Sequence, residues 1–288
     1  MKDRVNRKNI FLSVLTSTAI LLAIVSLTGL ERTLSFLSHT RPLPLTAAFI
    51  SANLAIVINS HIWKKVLNRL GLDITSLQAV KLVFANAFIN NITPLGHAGG
   101  EPFIVYHLHR KTEKETGTIF SGILVADVIN FTPLITSGLV GAAATSGARN
   151  LLLLPAAIKQ KVEEQMGNFR EGLQTLSIDR KNLLFLSLFS HLSILTDIAA
   201  IMFLAYSLGL QISFVPLLLI LPLARIANYT PTPGGTGPYE IALTGLLSFF
   251  YGIPIFQAAA ISVIYRGMTY YFGIIAGGYA VATLEIGK

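Results

Sequence analysis

Seven ionisable side chains, Lys81, Glu101, Asp127, Asp197, Arg225, Glu240 and Arg266, stand in stretches otherwise apolar enough to lie in a membrane. Charge at that depth is costly and usually faces the interior of a helical bundle. Acids and bases are roughly balanced, which permits internal pairing. Arg266 follows Tyr265 near the middle of the last apolar run. One role for it is a structural ion pair with a buried acid. The favoured role is capture of a phosphate, whose oxygens a guanidinium matches in bidentate fashion. Arg225, one helical turn before Asn228, is a second candidate for the same task. Glu101 and Glu240 each open a helix, where a carboxylate complements the dipole or caps free N–H groups. Alternatively they counterbalance the two arginines or hold an amine on a cationic headgroup. Asp127 shares a helix face with Asn130, either as polar lining or as half of a structural pair. Lys81 is expected to snorkel to the interface. His61, His97, His107, His109 and His191 lack metal-ligand spacing, so neither a metal nor a cofactor is expected.

These residues are organised by two interruptions. Asn91 to Glu101 reads N-I-T-P-L-G-H-A-G-G-E, and Asn228 to Glu240 reads N-Y-T-P-T-P-G-G-T-G-P-Y-E. Each has an asparagine, a Thr-Pro two residues on, a Gly-Gly pair and a glutamate where helix resumes. Proline lacks the N–H that the helix ladder needs, and glycine adopts left-handed conformations readily. Within lipid such a break survives only where protein or a water-filled cavity satisfies the freed backbone groups. Pro94, Gly99 and Gly100 form the first break; Pro231, Pro233, Gly234, Gly235 and Gly237 form the second. Matched interruptions of this kind predict a transporter-like core of two re-entrant helical hairpins related as a pseudo-repeat. The residues expected to face a substrate are Asn91, Thr93, Glu101, Asp127, Arg225, Asn228, Thr230, Glu240, Tyr265 and Arg266.

The surrounding chain sets the class. Of 288 residues 52% are hydrophobic and only 12% charged, about half the charge of a soluble domain. Mean hydropathy is +0.63, and apolar runs of about 20 residues recur along the whole length. An all-α, polytopic membrane protein forming one domain follows. The net charge of +8 sits mostly in short loops beside apolar spans, which points to membrane orientation rather than to nucleic acid. The absence of cysteine excludes disulfides, thiol catalysis, cysteine metal sites and palmitoylation.

Spans are expected at Ile10–Leu30, Leu45–Trp63, Gly117–Gly147 and Asn182–Leu210, with a last helix over Phe256–Leu284. The first is too long for a signal-peptide core and is expected to be retained. Trp63-Lys64-Lys65 looks like an interfacial anchor, and the basic clusters place the N-terminus in the cytoplasm. Tyr270 and Tyr271 are expected at an interface. The mixed-charge region Arg149–Arg180 suits an amphipathic surface helix.

N-x-T-P-x-G-x-x-G-G-E-P at Asn91–Pro102, T-P-x-P-G-G-x-G-x-x-E at Thr230–Glu240 and Tyr265-Arg266 together resemble one family pattern. It is the transmembrane region of the lysylphosphatidylglycerol synthase/flippase proteins and their stand-alone relatives. The resemblance covers nearly the whole chain and implies a lipid-translocating domain with Glu101, Glu240 and Arg266 as site residues. The bifunctional members carry a soluble aminoacyl-transfer domain after the membrane part, and this sequence stops at Lys288, so lipid synthesis is not expected. No G-x-S-x-G, H-E-x-x-H, P-loop or dinucleotide fingerprint is present. The expected function is a flippase-like, non-enzymatic transporter of a phosphate-containing lipid, an aminoacyl-phospholipid or a polyprenyl-phosphate carrier, in the cell membrane. The expected partner is a membrane lipid with a phosphate headgroup, with a homo-oligomer as a candidate assembly and no nucleic acid. Alternatives are a membrane-embedded headgroup transferase or a non-transporting subunit of a cell-envelope assembly.

Overall fold

A computed structural model of the chain describes residues 7–38, 40–93, 99–145 and 180–286. The regular elements among these residues are all helical: α1 (Arg7–Leu37), α2 (Pro42–Arg69), α3 (Ser76–Ile92), α4 (Gly100–Thr112), α5 (Thr116–Ala144), α6 (Arg180–Ser207), α7 (Phe214–Ile226), α8 (Pro238–Tyr251), α9 (Ile255–Arg266) and α10 (Phe272–Ile286). Five stretches are long and apolar enough to cross a membrane: Phe11–Leu37, Pro42–Arg69, Thr116–Ala144, Lys181–Ser207 and Ile255–Leu284. Apart from Arg180, which opens α6, the expected surface helix at Arg149–Arg180, together with Pro94 and His97, lies outside the described residues.

Local sequence explains most boundaries. Thr75 and Gln78 close a reciprocal capping box at the start of α3, with Oγ1 and Oε1 accepting backbone N–H groups at 3.3 and 2.9 Å. Pro238 opens α8, whose end is closed by Gly252 at φ 64°. Two helices depart from their expected form. α1 continues past Leu30 through Glu31 and Arg32 and absorbs a bend at Gly29 with φ 106°. The last span is not uniform: between α9 and α10, Gly267–Tyr271 forms a π-helical turn, which widens the helix without any proline to signal it.

The bundle is apolar outside and charged inside. Leu27 is 88% and Phe249 79% exposed, whereas Asp197 is 2%, Glu240 0% and Arg266 6% exposed. Water as solvent would not reward that distribution; lipid does. α2 packs along α6, α3 along α10, and α5 against α7. One apolar cluster gathers the second half of α2 with α3, α4 and α5. Another joins the first half of α2 to α6, α7, α8 and α9. The polar residues collect between them.

Candidate functional site

The second break is built by its glycines and locked by Arg266. Gly234, Gly235 and Gly237 all have positive φ, at 57°, 70° and 100°, which side-chain-bearing residues rarely adopt. At Gly234 space forbids a side chain as well: a Cβ there would lie 2.5 Å from Tyr270 Cε2 and 3.0 Å from Asn91 Oδ1. Glu240 turns back in the first turn of α8 and accepts the Gly237 N–H at 2.6 Å through Oε2. Its other oxygen pairs with Arg266 Nε at 2.7 Å. Arg266 Nη2 donates to the Gly234 carbonyl, and the guanidinium lies between the rings of Tyr239 and Tyr270, 5.1 and 4.8 Å from their centroids. Arg266 was expected to meet a phosphate; its contacts are with the break, and its side chain is only 7% exposed. Two of the three roles weighed for Glu240, helix capping and balancing an arginine, are realised in one carboxylate.

The first break solves the same problem differently. Asn90 accepts the N–H groups of Gly99 and Gly100 at 3.0 and 2.8 Å through Oδ1, so an asparagine from α3 caps α4. Its amide nitrogen donates to Glu101 Oε1 at 3.3 Å, and Asn86, one turn earlier, donates to the same oxygen at 3.2 Å. Glu101 is therefore held by two amides from the shared face of α3. The two breaks meet at Asn91: Tyr270 donates its hydroxyl to the Asn91 carbonyl at 3.2 Å while packing beside Gly234. Ser17 joins the Tyr270 hydroxyl at 2.8 Å, and Thr18 joins Tyr271 at 2.7 Å. Tyr270, 1% exposed, is thus a joint between three segments and not an interfacial anchor. Its phenol finds partners inside because buried hydroxyls must.

Thr93 and Thr230, expected to face a substrate, bond back to their own helices, Thr93 to the Ile89 carbonyl and Thr230 to the Ala227 carbonyl, both at 2.7 Å. That local alternative is common for threonine at helix ends.

A cavity of about 360 Å³ lies beside the breaks, lined by residues of α2, α3, α5, α6, α7 and α9. It brings together Asp127, Arg225, Asn228, Tyr265 and Arg266 from the expected set. Glu101 and Glu240 stand behind its wall, although Glu101 lies within electrostatic range of Asp127. Arg225 pairs with Asp197, and Tyr265 donates to the other Asp197 oxygen at 2.9 Å. Asp197 thus anchors two cavity residues, a role sequence alone had left open. Trp63 was also misplaced by sequence reasoning. It is 2% exposed and donates its indole N–H to Asp127 Oδ1 at 3.3 Å, because a buried indole needs an acceptor that the interface would otherwise supply. Asn59, one turn earlier on α2, also lines the cavity and was missed. A polar residue on the face shared with Trp63 was the available signal.

Charge balance follows. Each arginine has one acid, Arg225 with Asp197 and Arg266 with Glu240. Asp127 and Glu101 have no lysine or arginine within 4 Å among the described residues. The first of the two arginines keeps 29% of its side chain exposed.

The fold and the site define a multi-pass α-helical membrane protein with a charge-lined internal cavity. The chain belongs to the family of the lysylphosphatidylglycerol synthase TM region, whose profile matches residues 10–159 and 149–277. It is similar to a UPF0104 membrane protein of Methanocaldococcus jannaschii, with 35% identity over 130 residues, 45% of this chain and 38% of that protein. A UPF0104 membrane protein of Pyrococcus horikoshii is 20% identical over 94% of this chain and 96% of its own length. One from Methanothermobacter thermautotrophicus is 24% identical over 99% and 95%. Alignment with the first of these relatives spans less than half of that protein.

Proposed function

We propose that this protein is a flippase-like transporter that carries a phosphate-containing lipid between leaflets without altering it chemically. The observation carrying this reading is Arg225, whose side chain is 29% exposed and lines a charge-bearing cavity inside an apolar bundle. A guanidinium has five N–H donors, so the bond to Asp197 leaves others for phosphate oxygens. The acyl chains stay in the bilayer while the headgroup crosses beside the breaks. Arg266, closed in by Glu240, shapes the break and leaves phosphate to Arg225. Re-entrant hairpins fit the lengths of α3, α4, α7 and α8, with 17, 13, 13 and 14 residues, each short of the roughly 20 needed to span. The basic residues before α1 and at the end of α2 favour a cytoplasmic N-terminus in the cell membrane. The family description, which names a lysylphosphatidylglycerol synthase, favours an aminoacylated phospholipid as the substrate, with a polyprenyl-phosphate carrier as the second candidate.

The test is leaflet translocation of a labelled phospholipid in vesicles containing purified protein. Arg225→Gln, which keeps a donor for Asp197, is expected to slow translocation by about tenfold, the loss of one hydrogen bond to a charged group. Equal rates would remove Arg225 from the path. Chemical conversion of the lipid, seen by mass spectrometry, would replace transport with headgroup transfer.

A further inference from the structure

α2 and α5 run antiparallel. Leu70 and Leu67, at the end of α2, pack at Gly122, near the start of α5, and one turn deeper Trp63 bonds Asp127. The next rung is then Asn59 on α2 facing Asn130 on α5, since each lies three or four residues on along the same helix face. Trp63, Asp127, Asn59 and Asn130 all line the same cavity. The side-chain oxygens of Asn59 and Asn130 are both fully buried and have no hydrogen-bond donor among the described residues. A buried acceptor without a donor is rare and calls for a water or an ion. Here two such amide oxygens, which share the cavity with those of Asn86 and Asn228, and a carboxylate without a lysine or arginine line one space.

The geometry points to a binding site for a single alkali-metal cation, held by Asp127, Asn59 and Asn130. Carboxylate and carbonyl oxygens are the ligands that hard cations take. Glu101 is tied to Asn86 and Asn90 behind the wall, so one carboxylate without a lysine or arginine faces the cavity and matches one positive charge, whereas a divalent ion would leave a buried excess charge that low dielectric penalises heavily. Trp63 positions the carboxylate: its N–H holds Oδ1 and leaves Oδ2 to take the ion. The site shares the cavity proposed for lipid passage, yet binding of the ion can be read without any transport.

Trp63 is the chain's single tryptophan and touches the site, so its fluorescence reports occupancy. Purified protein in detergent is titrated with sodium chloride or potassium chloride against choline chloride at constant ionic strength. A saturable change with an alkali cation and not with choline is expected. In Asp127→Asn, which keeps an acceptor for the indole, the change is expected to vanish. In Asn130→Ala and Asn59→Ala the midpoint is expected to rise by about tenfold or more. Thermal unfolding of each variant in choline confirms that the fold persists; should Asp127→Asn fail to fold, the two asparagine variants carry the test. No salt-specific change in wild type means that the cavity holds water only, and overturns the site. So does an unchanged response in the asparagine variants, or a response to pH alone. Wild-type ion binding with no lipid movement would reject the transport reading and leave the cation site standing.

Discussion

Arg266 Nε lies 2.7 Å from Glu240 Oε1, joining the last membrane span to the helix that resumes after the second break. Both side chains are almost fully enclosed, so neither can be left alone without cost. Arg266→Ala or Glu240→Ala should each destabilise the protein by about 3–5 kcal/mol, the usual penalty for orphaning a buried charge. A paired Arg266→Met, Glu240→Leu replacement should recover much of that. Thermal unfolding in detergent measures all three. A single variant as stable as wild type would show that the pair does not hold the break.

Asn90 connects the other break through three bonds at once. Asn90→Asp keeps the acceptor for Gly99 and Gly100 but sets a carboxylate against Glu101. Stability should fall in Asn90→Asp and return when Glu101→Gln is added, a coupling that a double-mutant cycle isolates. Simple additivity would place Glu101 away from Asn90 in the folded state.

The two kinds of glycine in this region should respond in opposite directions. At Gly234 the positive φ and the Tyr270 ring oppose any side chain, so Gly234→Ala should cost roughly 1–3 kcal/mol. Gly245, within α8, has nothing within 4 Å of an added Cβ. Gly245→Ala should therefore raise stability by about 0.5–1 kcal/mol through helix propensity. Melting temperatures of the two variants decide this, and a loss at both sites would place an unseen neighbour beside Gly245.

Much of the frame was legible in the sequence. Hydropathy located the spans, and the 3.6-residue period put Asn86 with Asn90 and Asp127 with Asn130. Pairing was not legible. Arg225 meets Asp197 and Arg266 meets Glu240 across separate helices, and partner choice depends on helix packing that periodicity does not encode. The matched spelling of the two breaks also concealed different solutions. One glutamate caps its own helix and pairs with an arginine; the other is held by two asparagines, one of which does the capping. Thr93 and Thr230 were recoverable, because a threonine at a helix end has a nearby carbonyl to bond. The π-helical turn at Gly267–Tyr271 had no warning residue at all.

That widened turn presents Tyr270 and Tyr271 side by side to Ser17 and Thr18, 253 residues earlier in the chain. During synthesis α1 therefore enters the bilayer long before these hydroxyl partners exist, and the contact forms only once the segment carrying Tyr270 and Tyr271 has been made.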